Sequence, residues 1–257
     1  MRARRIAPPW IGFIVLGGIF LFLSMSTAPW KLGLGLLFPG RADLLYPRAN
    51  PSYIVGEHLL LVGVSSLLAC IVGLGAGIAV TRPGGRDLMP VSEKLAAIGQ
   101  TFPPAAVLAL SVPILGFGFA PTIAALFLYS ILPILRNTIG GISSVAPDSI
   151  EAARGMGMTQ LQILRKVELP LAAPVILAGV RTSVIVNVGT ATIGATIGAG
   201  GLGAPIISGL VNQNPAYLSE GALSAGLLAL VLDSAFSSVQ RILELRGSPT
   251  AGREKSA

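Results

Sequence analysis

"EAARGMGMTQLQILRKVELP", residues 151–170, is the most water-compatible stretch of a chain that is otherwise apolar. It carries the start and stop signals of two short helices. Asp148, with Glu151 three residues on, stands in capping-box register after Pro147, and Gly155 and Gly157 end the first helix. Thr159 followed by Gln162 repeats the start signal, and the second helix is expected to run to Pro170 with Leu161, Leu164 and Val167 on one side. Helix, glycine bend and helix make a compact protrusion. Physical chemistry alone admits two uses for it. It could dock into a partner's groove, where Ala152, Ala153 and Gly157 permit close approach, or lie on a membrane surface.

The runs on either side set the class. Hydrophobic residues make up 53% of the chain and charged residues 11%, with a mean hydropathy of +0.77, whereas about a quarter of a soluble domain is charged. An integral membrane protein follows. Uncharged runs lie near 10–28, 59–80, 95–135, 182–219 and 221–232, and the longest must divide at "GFGFAP" (116–121) and "GAGGLGAP" (198–205). The expected fold is therefore all-α and polytopic, with about six spans near 10–28, 55–80, 95–116, 120–139, 172–197 and 221–240. The first has the basic and apolar regions of a signal peptide, but Pro29 after the small-residue site disfavours cleavage, so a retained anchor is expected.

Six spans put both termini on one side. That side collects Arg2, Arg4, Arg5, Arg82, Arg86, Lys94, Arg136, Arg154, Arg165, Lys166, Arg241, Arg246, Arg253 and Lys255, leaving only Lys31, Arg41 and Arg48 opposite. Basic loops mark the cytoplasm, so the net charge of +7 reports topology and not nucleic-acid binding. Three regions result: an anchor and external loop (1–54), a transmembrane domain (55–240) with a cytoplasmic loop (140–171), and a short disordered tail (241–257).

Polar groups inside apolar runs are functional candidates because unsatisfied burial is costly. Arg181 either snorkels or pairs with Asp233, while Asn187, with Thr190 and Thr192 nearby, is expected to line a pathway. Gly73, Gly75 and Gly77 are read as helix-contact residues, Pro103, Pro104, Pro113 and Pro133 as breaks that neighbouring helices satisfy, and Cys70 as packing. His58 is the lone histidine, beside Glu57 at a span's start, so no metal set or serine–histidine pair is available. "GAGGLG" (198–203) matches a dinucleotide fingerprint, with Glu220 about 20 residues on, but closes a membrane helix instead of following a strand. No G-x-x-x-x-G-K-[ST] loop occurs, so any ATP hydrolysis must come from another chain. With aromatics at 6%, no external cage for a quaternary ammonium group stands out.

"EAA", three residues, a glycine, nine residues, an aliphatic, one residue and "LP" resemble the EAA loop of bacterial ABC-importer permeases. The matching residues are Glu151, Ala152, Ala153, Gly157, Val167, Leu169 and Pro170, with Val167 where isoleucine is more usual. Together with "QTFPPAAVLAL", "LYSILPILRNTIGGI" and "RTSVIVNVGTATIGATIGAGGLG", the stretch resembles the glycine betaine/carnitine/choline (osmoprotectant) branch of those permeases over roughly residues 55–240.

The resemblance implies a MetI-like type I fold in the bacterial plasma (inner) membrane. It also implies a cytoplasmic ABC ATPase in two copies, which docks on the loop and uses ATP and Mg. A second permease copy, identical or not, and an extracytoplasmic solute-binding protein that supplies selectivity complete the set. No cofactor is expected on this chain. The same resemblance places Gly198, Gly200, Gly201 and Gly203 near the external end of the pathway as a candidate gate. Importers of another small solute, such as methionine or phosphonate, remain open, as does a stand-alone secondary transporter or channel.

Overall fold

Proline opens most of the helices. Its fixed φ suits the first turn, where a missing N–H costs nothing. The computed structural model describes residues 9–247, which form α1 (Pro9–Met25), α2 (Ala28–Leu37), α3 (Pro51–Thr81), α4 (Met89–Thr101), α5 (Pro104–Leu115), α6 (Phe119–Ser143), α7 (Pro147–Gly155), α8 (Gln160–Ile163), α9 (Leu169–Ala191), α10 (Gly203–Val211) and α11 (Pro215–Gly247). Arg2, Arg4, Arg5, Arg253, Lys255 and the tail beyond Gly247 lie outside the described residues.

Four helical stretches are long and apolar enough to cross a membrane: Pro51–Thr81, Phe119–Ser143, Gln160–Ile197 and Pro215–Glu244. Two expected spans are bent pairs instead. Residues 10–28 end as α1 at Met25, and α2 leaves at 91°; residues 95–116 break between α4 and α5 at 93°. The second break has a plain cause. Pro103 and Pro104 stand where N–H groups would bond the carbonyls of Gly99 and Gln100, and neither proline has one. Gln100 instead ties α4 to α6, donating through Nε2 to the Tyr129 carbonyl at 2.7 Å. The last span, expected near 221–240, starts earlier: Asn214 Oδ1 accepts from Ala216 N–H at 3.0 Å and starts α11 there.

α3, α6 and α9 form the centre, joined along seams of small residues. A Cβ on Gly73 would lie 2.9 Å from Ile134 Cγ2, and one on Gly77 2.7 Å from Thr138. Gly75, expected in the same seam, faces open space, because a two-residue step turns about 200° around a helix. Gly141 meets Ala172 and Val175, and Gly179 meets Pro133 and Asn137, bringing α6 against α9. Leu61, Leu126, Val188, Leu202 and Leu228 fill the core between α3, α6, α9 and α11. α1 packs on α11, with Gly12 beside Ser234 and Leu23 on the same surface as Leu223 and Leu227.

Candidate functional site: the α7 protrusion and the glycine segment

At one end of the bundle, α7 closes in a left-handed glycine turn. Gly157 has φ of +77°, Gly157 N–H donates to the Arg154 carbonyl at 2.9 Å, and Met158 N–H donates to that of Ala153 at 3.1 Å. These are the paired bonds of a Schellman motif, so Gly157, not Gly155, is the stop. Thr159 then caps α8 as expected: its Oγ1 accepts from Gln162 N–H at 3.3 Å, and Gln162 Oε1 accepts from Thr159 N–H at 2.8 Å.

Two details of the loop differ from expectation. Ala146, not Asp148, is the N-cap of α7, and no side chain caps it; Pro147 takes the first helical position and leaves Asp148 inside the first turn. The second helix does not stop at Pro170. A π turn, Leu164–Glu168, carries α8 straight into α9, with Leu169 N–H bonding the Leu164 carbonyl. The wide turn absorbs the proline's missing donor and shifts the buried face. Ile163 is buried, while Leu161 is 55% exposed.

The protrusion presents Glu151, Ala152, Arg154, Met156 and Gly157 to the outside, while Ala153 is buried under them. Space around Gly157 is open. Beside it, a cleft of about 400 Å³ is lined by Arg82, Arg86, Glu151, Arg154 and Glu168 among others. Arg82 Nη1 lies 2.7 Å from Glu168 Oε2, and Glu168 is buried, so the pair clamps the end of α3 to the π turn. Val167 and Leu169 are half-buried, and Pro170 is exposed.

At the other end, the glycine segment folds back over the start of α3. Gly198, Gly200 and Gly201 have φ of +83°, +75° and +69°. A Cβ on Gly200 would fall on the Glu57 carboxylate, and one on Gly203 on the Thr192 carbonyl. Glu57 Oε2 accepts from Gly201 N–H at 2.9 Å. His58 Nδ1 accepts from Leu202 N–H at 3.3 Å, so Nε2 carries the ring hydrogen and donates to the Val188 carbonyl at 3.0 Å. His58 is thus a fully buried clasp between α3, α9 and the glycine segment. Nearby, Glu220 Oε2 accepts from Tyr46 N–H at 2.8 Å and Asn214 Nδ2 donates to the Asp43 carbonyl at 2.9 Å, tying the loop after α2 to α11.

Between the two ends, Arg181 Nε donates to Asp233 Oδ1 at 2.7 Å, pairing α9 with α11. Asn187 is fully buried: its Nδ2 donates to Ser65 and Ser66 Oγ, both at 3.1 Å, so its amide serves the α3–α9 contact. Thr190 and Thr192 are partly exposed. No cluster of three or more His, Cys, Asp or Glu suited to a metal occurs among the described residues. These parts grip, lever and pair; none forms a nucleophile with a base.

The comparisons agree with this architecture. The chain is 42% identical over 216 residues to an osmoprotectant import permease protein of Salmonella typhimurium, covering 84% of this chain and 89% of that one. It is 41% identical over 197 residues to a glycine betaine/carnitine/choline transport system permease protein of Bacillus subtilis, covering 76% of this chain and 89% of that one. Among solved structures, an inward-facing MetNI methionine ABC transporter matches with a TM-score of 0.66 and 27% identity, over 75% of this chain and 95% of that chain. Residues 69–247 match the family described as the binding-protein-dependent transport system inner membrane component. The chain belongs to that family, as a multi-pass transport protein of the inner membrane.

Proposed function

We propose that this chain is the permease subunit of an ATP-driven importer of osmoprotectants such as glycine betaine, carnitine or choline. The observation that carries the coupling is the unbroken helix from Gln160 to Ile197, which joins the protrusion to the glycine segment. A cytoplasmic ATPase, two copies using ATP and Mg, docks on Glu151, Ala152 and Gly157 with Ala153 packed beneath them, and Val167, Leu169 and Pro170 pass its movement into α9. A second permease copy, identical or different, faces this one, and an extracytoplasmic binding protein delivers solute to the opposite end. Thr190 and Thr192 border the path, Asn187 braces it, and Gly198, Gly200, Gly201 and Gly203 gate it. The substrate class rests on the relatives' names, since the two quoted are 41–42% identical.

Charge supports the sidedness. Arg82, Arg86, Arg154, Arg165 and Lys166 gather at the α7 end, which we assign to the cytoplasm, and both termini belong to that side. Affinity purification of the complex in mild detergent, with Gly157→Asp alongside, tests the reading. The wild type is expected to retain an ABC ATPase and the variant to lose it while still reaching the membrane, because a side chain at Gly157 strains the left-handed turn and stands in the open space where the partner docks. Transport that proceeds without any ATPase would favour a secondary transporter. Competition among osmoprotectants, methionine and phosphonate in reconstituted uptake names the solute.

A further inference from the structure

The glycine end holds a cleft beside the clasp that Glu57 makes on Gly201. It has a volume of about 690 Å³ and is lined by Ser52, Tyr53, Gly56, Glu57, Leu60 and Phe119 on two helices, with Gly198 and Ala199 of the glycine segment closing one side. Tyr53 and Glu57 stand four residues apart on α3, hence on one face. Phe119 starts α6 and is held beside the glycine segment by Gly118 N–H, which donates to the Ile197 carbonyl at 2.8 Å. The rest of the chain leaves both rings uncovered: Tyr53 is 61% exposed and Phe119 41%. Glu57 is the one charged residue among the described lining of the cleft; its Oε2 accepts from Gly201 N–H, and the Tyr53 hydroxyl interacts with the same carboxylate.

Two accessible aromatic rings around a single carboxylate are the chemistry that recognises a large, weakly hydrated cation. The ring faces attract a quaternary ammonium group that cannot donate hydrogen bonds, and the carboxylate balances its charge. A strongly hydrated inorganic cation gains less from the rings, and an anion is repelled. We infer that this cleft is a receiving site for the quaternary ammonium head of the solute, formed by Tyr53, Glu57 and Phe119 at the mouth that the glycine segment closes. The inference rests on the osmoprotectant reading for its solute, and on the cleft alone for its chemistry. Because Glu57 also holds Gly201, a bound cation draws on the same carboxylate that fixes the segment.

The test is equilibrium binding of radiolabelled choline to the full-length permease in nanodiscs, without binding protein. The competitors are 3,3-dimethylbutanol, its uncharged isostere, and potassium ion. Choline is expected to bind, and each competitor to be at least tenfold weaker. Glu57→Gln keeps an oxygen for Gly201 N–H while removing the charge, and Tyr53→Leu alters an exposed ring; each is expected to weaken choline binding about tenfold. No choline binding, equal competition by the isostere or potassium, or wild-type binding in both variants overturns the inference. Uptake by the reconstituted complex, run in parallel, judges the osmoprotectant reading separately. Quaternary ammonium uptake with no binding at the cleft leaves that reading standing and removes this one.

Discussion

Adding one methyl group at Gly179 should loosen the bundle, although alanine is the better helix former. A Cβ there would lie 2.6 Å from Asn137 Cβ and 2.7 Å from the Pro133 carbonyl oxygen, against about 3.5–4.0 Å for carbon atoms in contact. The carbonyl belongs to the α6 backbone, so relief requires α6 and α9 to part by about 1 Å. One turn further along α9, Ser183 Oγ donates to the Ser130 carbonyl at 2.7 Å, and the same parting stretches that bond. Overpacking costs about 1–3 kcal/mol and the weakened bond about 1 kcal/mol, while the gain in helix propensity returns about 1 kcal/mol. The net is roughly 1–3 kcal/mol of destabilisation, a fall of roughly 2–10 °C in Tm for a chain of this size. Thermal unfolding of Gly179→Ala in nanodiscs, beside Gly75→Ala, measures it. Gly75 faces open space, and its variant should melt at or above the wild type. If Gly179→Ala melts as high as Gly75→Ala, α6 and α9 are not packed as tightly as described.

Arg82→Ala should cost about 3 kcal/mol by leaving Glu168 buried without its cation; Arg82→Leu with Glu168→Leu should recover much of that, and chemical unfolding of the three proteins checks the order. Thr159→Ala removes the capping box and should lower local stability by about 1 kcal/mol, read as faster amide hydrogen exchange in α8 with unchanged exchange in α3. Asn187→Leu removes the amide that holds Ser65 and Ser66 and should destabilise by about 1–3 kcal/mol. Uptake per folded copy should stay within about twofold, and a larger loss would place Asn187 on the solute path.

What the residues revealed was mostly local or repetitive. Spans α3 and α6 are legible as apolar runs of membrane length, and the Thr159 cap as a four-residue signal. Pro103 and Pro104 mark a break in the sequence, but apolar content carries no direction, so the 93° turn between α4 and α5 is visible only in the structure. The spacing of Asp148 to Glu151 fits a capping box, but Pro147 claims the first helical position. The grip of Glu57 and His58 on Gly201 and Leu202 joins residues 144 apart, and only the fold brings them together. Tyr53 and Phe119 also stand on different helices, α3 and α6, so the cleft they share is formed only by the fold.

The π turn at Leu164–Glu168 gives the chain one continuous helical stretch where two separate helices were expected. Gln160 to Ile197 is 38 residues, a rod about 57 Å long at 1.5 Å per residue. Pivoting it by about 10° about its midpoint, where Arg181 engages Asp233, moves each tip by about 5 Å in opposite senses. Moved as one body, the stretch turns a push inward on the Thr159 tip into a swing of comparable size at Gly198, with Pro174 and the closing 3-10 turns Thr192–Ile197 as the places where it can bend.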